Sequence, residues 1–206
     1  WNEEKVKFLI EDIRELGARF FNHPSYLKIN NRPVIFFYLT RNFHGDTAGI
    51  IARLRQELGR AGFDPFIVAD EVFWEVVRDN PEKNKTPEWV EDPQEARINS
   101  FDAVTAYNIY ETRYTRHRGY ASQSSFIEDV RAKYQEYRQV SGEDTVFIPN
   151  IIPGYNDRGV RPARDHYIIP RRWEEDPDGG LLFSYLFDLI GLPFVDPDIP
   201  IIMITS

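Results

Sequence analysis

The sequence has no cysteine among its 206 residues. That excludes disulfides, thiolate nucleophiles and cysteine-ligated metal centres, and it leaves the redox compartment open. An excess of positive charge is also missing. The chain has 25 Lys and Arg against 33 Asp and Glu, a formal charge of −8. Such a chain repels a phosphate backbone unless a local basic patch outweighs the total. The two basic clusters, 113–118 and 158–172, are interleaved with Tyr, Asp or Pro and form no clean helical face. No nucleic-acid partner is therefore expected. No apolar run approaches the roughly 20 residues needed to cross a bilayer, so no membrane span is expected. No GxGxxG follows a strand-like run, which removes support for a dinucleotide cofactor. The four histidines, at 23, 44, 117 and 166, lack metal-ligand spacing. No metal and no cofactor is expected; His44, beside Asp46, comes nearest to an exception.

What the chain does have is aromatic side chains: 11 Tyr and 4 Trp within a 15% aromatic content. Most such rings belong in a core. A surplus of Tyr and Trp also suits stacking on sugar rings, which are apolar on one face and hydroxyl-rimmed.

Five short segments are apolar almost throughout rather than alternating: 34–39, 65–69, 103–109, 146–152 and 200–205. That pattern marks strands buried on both faces, as in parallel sheets. Between them lie helical patterns with a period near 3.6. The first covers 3–21 with Val6, Ile10 and Ile13. Others cover 48–61, 125–140 behind a serine cap, and 181–190 with Gly191 as a stop. Regular alternation of helix and strand predicts an α/β fold with a parallel sheet. The segments after strands are long (41–47, 70–100, 110–124, 153–180), whereas the turns back into strands are short. Long loops at one end only match a (β/α)8 TIM barrel, whose chemistry sits at the C-terminal ends of its strands. The stretch 77–100 is expected to hold a short helix, since a structureless loop of that length is unusual.

Four strand ends present polar groups. The first carries Tyr38, Thr40 and Arg41. The second carries Asp70 and Glu71, then Trp74. The third carries Tyr107, Asn108 and Tyr110. The fourth carries Asn150, Tyr155, Asp157 and, after a turn, Arg161. Carboxylates accept hydroxyl protons, arginine donates in a fixed fork, and rings stack, so this rim suits a sugar. Asp70 and Glu71 are adjacent, so on extended backbone at most one should face a pocket. Asp102 precedes its strand and is expected to be structural.

At this point a family resemblance appears. Residues 147–162 read FIPNIIPGYNDRGVRP. This resembles the FIP-x3-PGY-x-D-x3-RP element of glycoside hydrolase family 99, the endo-α-mannosidases and endo-α-mannanases, and their bacterial relatives. FDAVTAY at 101–107 is similar to that family's FDG-x-YTY strand. Residues 22–38 are similar to its HP-x-Y strand entry, and the terminal ITS to the start of its ITS-(F/Y)-NEW-x-EG strand. The four matches come in family order.

The resemblance implies a (β/α)8 barrel of which 1–206 forms one partial domain, about strands four to eight. It implies metal-independent cleavage of an internal α-mannoside bond with retention, in which one Glu helps the sugar's own 2-hydroxyl to attack. The acid and base would be two Glu just after Ser206, so the catalytic residues are expected outside this chain. Sequence is expected to be missing before Trp1 as well, which leaves localisation open. Tyr107 and Arg161 fall on family positions near the reacting sugar, and Tyr155 and Asp157 fall in the PGY turn. The sequence departs from the family at Leu39, where Asp is common. It departs at Thr105-Ala106, within the YTY, and at Ala163-Arg164, where Trp-Asn is usual. The expected partner is an oligosaccharide or polysaccharide. Two other readings share the barrel: a transferase-like polysaccharide-biosynthesis protein and a non-catalytic carbohydrate-binding barrel.

Overall fold

In the computed structural model the described residues are 1–43, 45–71, 94–107, 122–156, 159, 168–174 and 176–205. They begin with helix α1, Glu3–Leu16, capped by Asn2, whose side-chain oxygen accepts from the Lys5 amide at 2.9 Å. A π-helical turn, Gly17–Phe21, prolongs it. Strand β1, Lys28–Ile29, then turns back antiparallel onto β2, Arg32–Phe37. Asn30 and Asn31 make that turn at φ 50° and 65°. Asparagine tolerates the left-handed region, which a two-residue hairpin requires at both positions. Helix α2, Thr47–Arg60, is capped by Asp46, whose carboxylate accepts from the Gly49 amide at 2.8 Å. It leads to β3, Phe66–Asp70, buried along its whole length. Helix α3, Gln94–Ile98, precedes β4, Ala103–Thr105. Helix α4, Gln123–Val140, precedes β5, Val146–Phe147, and β6, Asn150–Ile151. Strands β7, Tyr155–Asn156, and β8, Ile168–Ile169, pair antiparallel. A last helical run joins α5, Leu181–Tyr185, through a π turn to α6, Leu192–Phe194. Strand β9, Met203–Ile204, closes the order.

The expected (β/α)8 barrel is corrected by this topology. The largest sheet has five strands in the order β1-β2-β3-β4-β5, and it is mixed because β1 runs against β2. β2 and β3 pair in parallel from Val34↔Phe66 to Phe37↔Ala69. β6 and β9 form a separate parallel pair. The expectation treated each apolar run as one parallel strand. Residues 146–152 are instead divided at Pro149, which has no amide to donate to a ladder. The Pro149 carbonyl accepts from the Met203 amide at 2.9 Å. The chain divides into two compact units. The first is Trp1–Glu71, Val77–Val104 and Ser141–Val146; the second is Val72–Val76, Thr105–Val140 and Phe147–Ser206.

The first unit buries Ile51, Leu54 and Leu58 of α2 with Ile67 and Ala69 of β3. Their spacing of three and four places them on one helical face. Asp102 is its polar latch. It accepts from the Ile67 amide and from Arg55, both at 2.7 Å, and from Arg32 at 2.8 Å. Burial raises the pKa of this carboxyl. The amide and the two guanidiniums outweigh that, holding it below the ordinary aspartate value. Its own carbonyl accepts from the Val146 amide at 2.9 Å.

In the second unit, Phe126, Val130, Tyr134 and Tyr137 form the buried face of α4. Tyr134 meets the rings of Phe147 and Phe194 edge-on, at centroid distances of 5.0 and 5.3 Å. Its hydroxyl donates to the Asn150 carbonyl. Burial drives this phenol far above its ordinary pKa, against the effect of that bond. Gly191 does not stop the final helix as expected. It keeps helical φ at −59°. A Cβ there would lie 3.1 Å from Ile151 Cδ1 and 3.3 Å from Ile202 Cδ1. The glycine serves close packing rather than termination. Likewise Ser122, three residues outside the predicted start, caps α4: its hydroxyl accepts from the Ser125 amide at 3.2 Å.

Candidate functional site

In the first unit the ends of β2 and β3 converge. After β2 the chain passes Tyr38, 56% exposed, and bends at Leu39, φ 53° and ψ 49°. A left-handed bend at a leucine costs on the order of 1 kcal/mol and persists only where neighbours hold it. Asp70 supplies that hold, because one carboxylate oxygen accepts from the Leu39 amide at 3.2 Å. Thr40 then opens a 3-10 turn, Thr40–Asn42, that carries the half-buried Arg41. The Thr40 hydroxyl has one proton to give. It lies 2.6 Å from Glu71 Oε2 and 3.1 Å from the Asp70 carbonyl. Arg97 of α3 completes the cluster, donating to both Glu71 oxygens, from Nε at 3.3 Å and from Nη2.

Asp70 and Glu71 are 0% and 2% exposed. Both reach the same turn, although neighbours on an extended strand should point apart. β3 ends at Asp70, so Glu71 lies beyond the pleated register. In this turn Asp70 holds the Leu39 amide, and Glu71 holds Thr40 and Arg97. The Glu71–Arg97 pair is a neutralised, nearly dry contact that fixes the turn bearing Tyr38 and Arg41.

In the second unit the ends of β4, β6 and β9 are stitched together. Asn150 Nδ2 donates to the Ala106 carbonyl at 2.5 Å and to Thr205 Oγ1 at 3.0 Å. The Thr205 hydroxyl donates in turn to the Tyr107 carbonyl at 3.1 Å. Tyr107 is half-buried on this stitch, and Tyr155 is half-buried on β7. Asn150, Thr205 and Tyr107 belong to three of the segments that carry the family resemblance.

The other expected site residues, Asp157 and Arg161, lie outside the described residues, as do Trp74, Asn108, Tyr110, His44, His117 and His166. Asp46 is engaged as the α2 cap. Among the described residues no His, Asp and Glu cluster could hold a metal ion, and no helix is long and apolar enough to cross a membrane. Sequence reasoning missed Arg97. Its only signal was a cation set between Ala96 and Ile98 in an otherwise polar segment.

No family model matches the chain, and no curated protein sequence matches it significantly.

Proposed function

We propose that the chain carries the sugar-binding part of a glycoside hydrolase acting on an α-linked glycan, at an internal α-mannoside bond with retention. The observation that supports this most is the meeting of three resemblance segments at one set of strand ends. The FIPN run contributes Asn150, the FDAVTAY run contributes Ala106 and Tyr107, and the terminal ITS contributes Thr205. In this reading Tyr107 and Tyr155, both of the second unit, contact the glycan. Asp70 and Glu71 act behind Tyr38 and Arg41, holding their turn.

The acid and base of this reading are two glutamates three residues apart, those of the NEW-x-E run that the resemblance implies. Product analysis on a panel of α-mannans tests it, using the protein that contains this chain. Shorter α-linked oligosaccharides with retained anomeric configuration are expected. A variant with the first glutamate replaced by glutamine should release none. Sugar-nucleotide turnover without glycan cleavage would replace the hydrolase by the transferase-like reading.

A further inference from the structure

A cavity of about 450 Å³ opens in the second unit beside the PGY turn. Pro153, Arg171, Arg172, Asp178, Gly180 and Phe183 line it. The arginines are seated by glycines. The Arg171 stem crosses Gly154, the glycine of PGY, so closely that any Cβ there would overlap Arg171 Cγ. A Cβ on Gly179 would lie 3.4 Å from Arg172 Cγ. Gly180, at φ 124°, takes a backbone conformation that side chains rarely allow. The chain therefore places glycine where two long cationic stems need room.

The charge pattern is unusual for this molecule. Acids outnumber bases, 33 against 25. Arg19, Arg32, Arg53, Arg55, Arg60 and Arg97 each have a carboxylate partner. Arg171 and Arg172 have no ion pair or hydrogen bond from their guanidiniums among the described residues. Both are exposed at the cavity. Two guanidiniums against the single Asp178 leave its lining at a net charge of +1.

We infer that this cavity binds an acidic sugar residue, whose carboxylate lies on Arg171 and Arg172. The inference rests on the glycan reading above and names a substrate class for it. Guanidinium forks match carboxylate geometry and form charge-assisted hydrogen bonds. Phe183, 38% exposed, offers a ring to the apolar face of a pyranose. Asp178 accepts from a ring hydroxyl. A volume in the range of small-molecule sites accommodates such a residue.

Calorimetric titration of the whole chain tests the inference, with a trigalacturonate as probe and mannotriose and inorganic phosphate as controls. The trigalacturonate should bind at least tenfold more tightly than mannotriose, and less tightly as salt rises. Arg172→Gln should weaken it by about tenfold to a hundredfold, the loss of one charge-assisted contact. Asp178→Asn should tighten it, because a like charge is removed while the amide oxygen still accepts from the ring hydroxyl; a misfolded variant cannot imitate a gain. Equal affinity for mannotriose, or affinity unmoved by both variants, overturns the inference. Tighter binding of phosphate than of the uronate also overturns it. Cleavage of neutral α-mannan with no acidic-sugar binding would sink this inference and leave the hydrolase reading. Uronate binding without any glycan cleavage would do the reverse.

Discussion

Two arginine–carboxylate groupings in this protein use the same residue types in opposite ways. Arg97 and Glu71 close on each other in the first unit with side chains only 4% and 3% exposed. Arg171, Arg172 and Asp178 stand around an open cavity in the second, and the two arginines pair with no described residue. Burial makes the difference. A carboxylate taken out of water without a counter-ion is expensive, so a buried Glu71 requires donors, and Arg97 and Thr40 supply them. Those donors hold Glu71 against the turn that follows β2. At the solvent edge that cost is absent, so the charges remain available to a ligand. A polar residue at a strand end is thus not yet a site residue; what surrounds it decides.

The contrast breaks most sharply at Arg97. Arg97→Met leaves the Glu71 charge buried and uncompensated, and should cost about 3–5 kcal/mol in urea denaturation. Adding Glu71→Gln should recover part of that. A loss below about 1 kcal/mol would mean that water reaches Glu71 and that the two groupings are alike.

Asp102 comes next. Asp102→Asn weakens two charge-assisted contacts and should cost about 1.5–3 kcal/mol near neutral pH. The sign of its pH dependence follows from its lowered folded pKa. The unfolded chain binds the proton first, so the stabilisation is present above the ordinary value of 3.8 and is lost as pH falls below it. The gap between wild type and variant should therefore narrow on acidification below that value. A gap that widened there would contradict the latch.

Thr205→Val removes the hydroxyl that joins β9 to Tyr107 and Asn150, and should cost about 1 kcal/mol in a thermal melt. No measurable change would separate β9 from the stitch. The smallest effect belongs to Arg172→Gln, expected to stay within about 0.5 kcal/mol of wild-type stability. A larger loss would make Arg172 structural, like Arg97, and would erase the comparison.

Much of the local structure was legible. The 3.6-residue spacing of Ile51, Leu54 and Leu58 announced α2, and all three are buried. The run 65–69 announced β3 within a residue, because a strand covered on both faces reads as a near-continuous apolar run. Pro149 was equally visible, but an apolar run hides a break unless the missing amide is weighed. The β1 hairpin carried its signal too, in Asn30-Asn31, a pair suited to a left-handed turn. Gly191 shows the opposite case. A glycine after an apolar helical run reads as a stop, and only the nearness of Ile151 and Ile202 explains why the helix continues.

The candidate site divides along the same line. Which residues stand at strand ends follows from the order of apolar runs, so Tyr38, Asp70, Glu71, Tyr107 and Tyr155 could be named from the chain alone. Their duties could not. The partners that decide them are distant in sequence: Arg97 lies 26 residues from Glu71, Asp70 lies 31 from Leu39, and Thr205 lies 55 from Asn150. Sequence by itself determined helix faces, buried strands, turns and the acid-rich charge balance, because these depend on neighbours a few residues apart. Tertiary structure alone decided the mixed sheet, the buried Glu71–Arg97 pair and the open pair of arginines. Burial and pairing arise only when remote segments meet and exclude water.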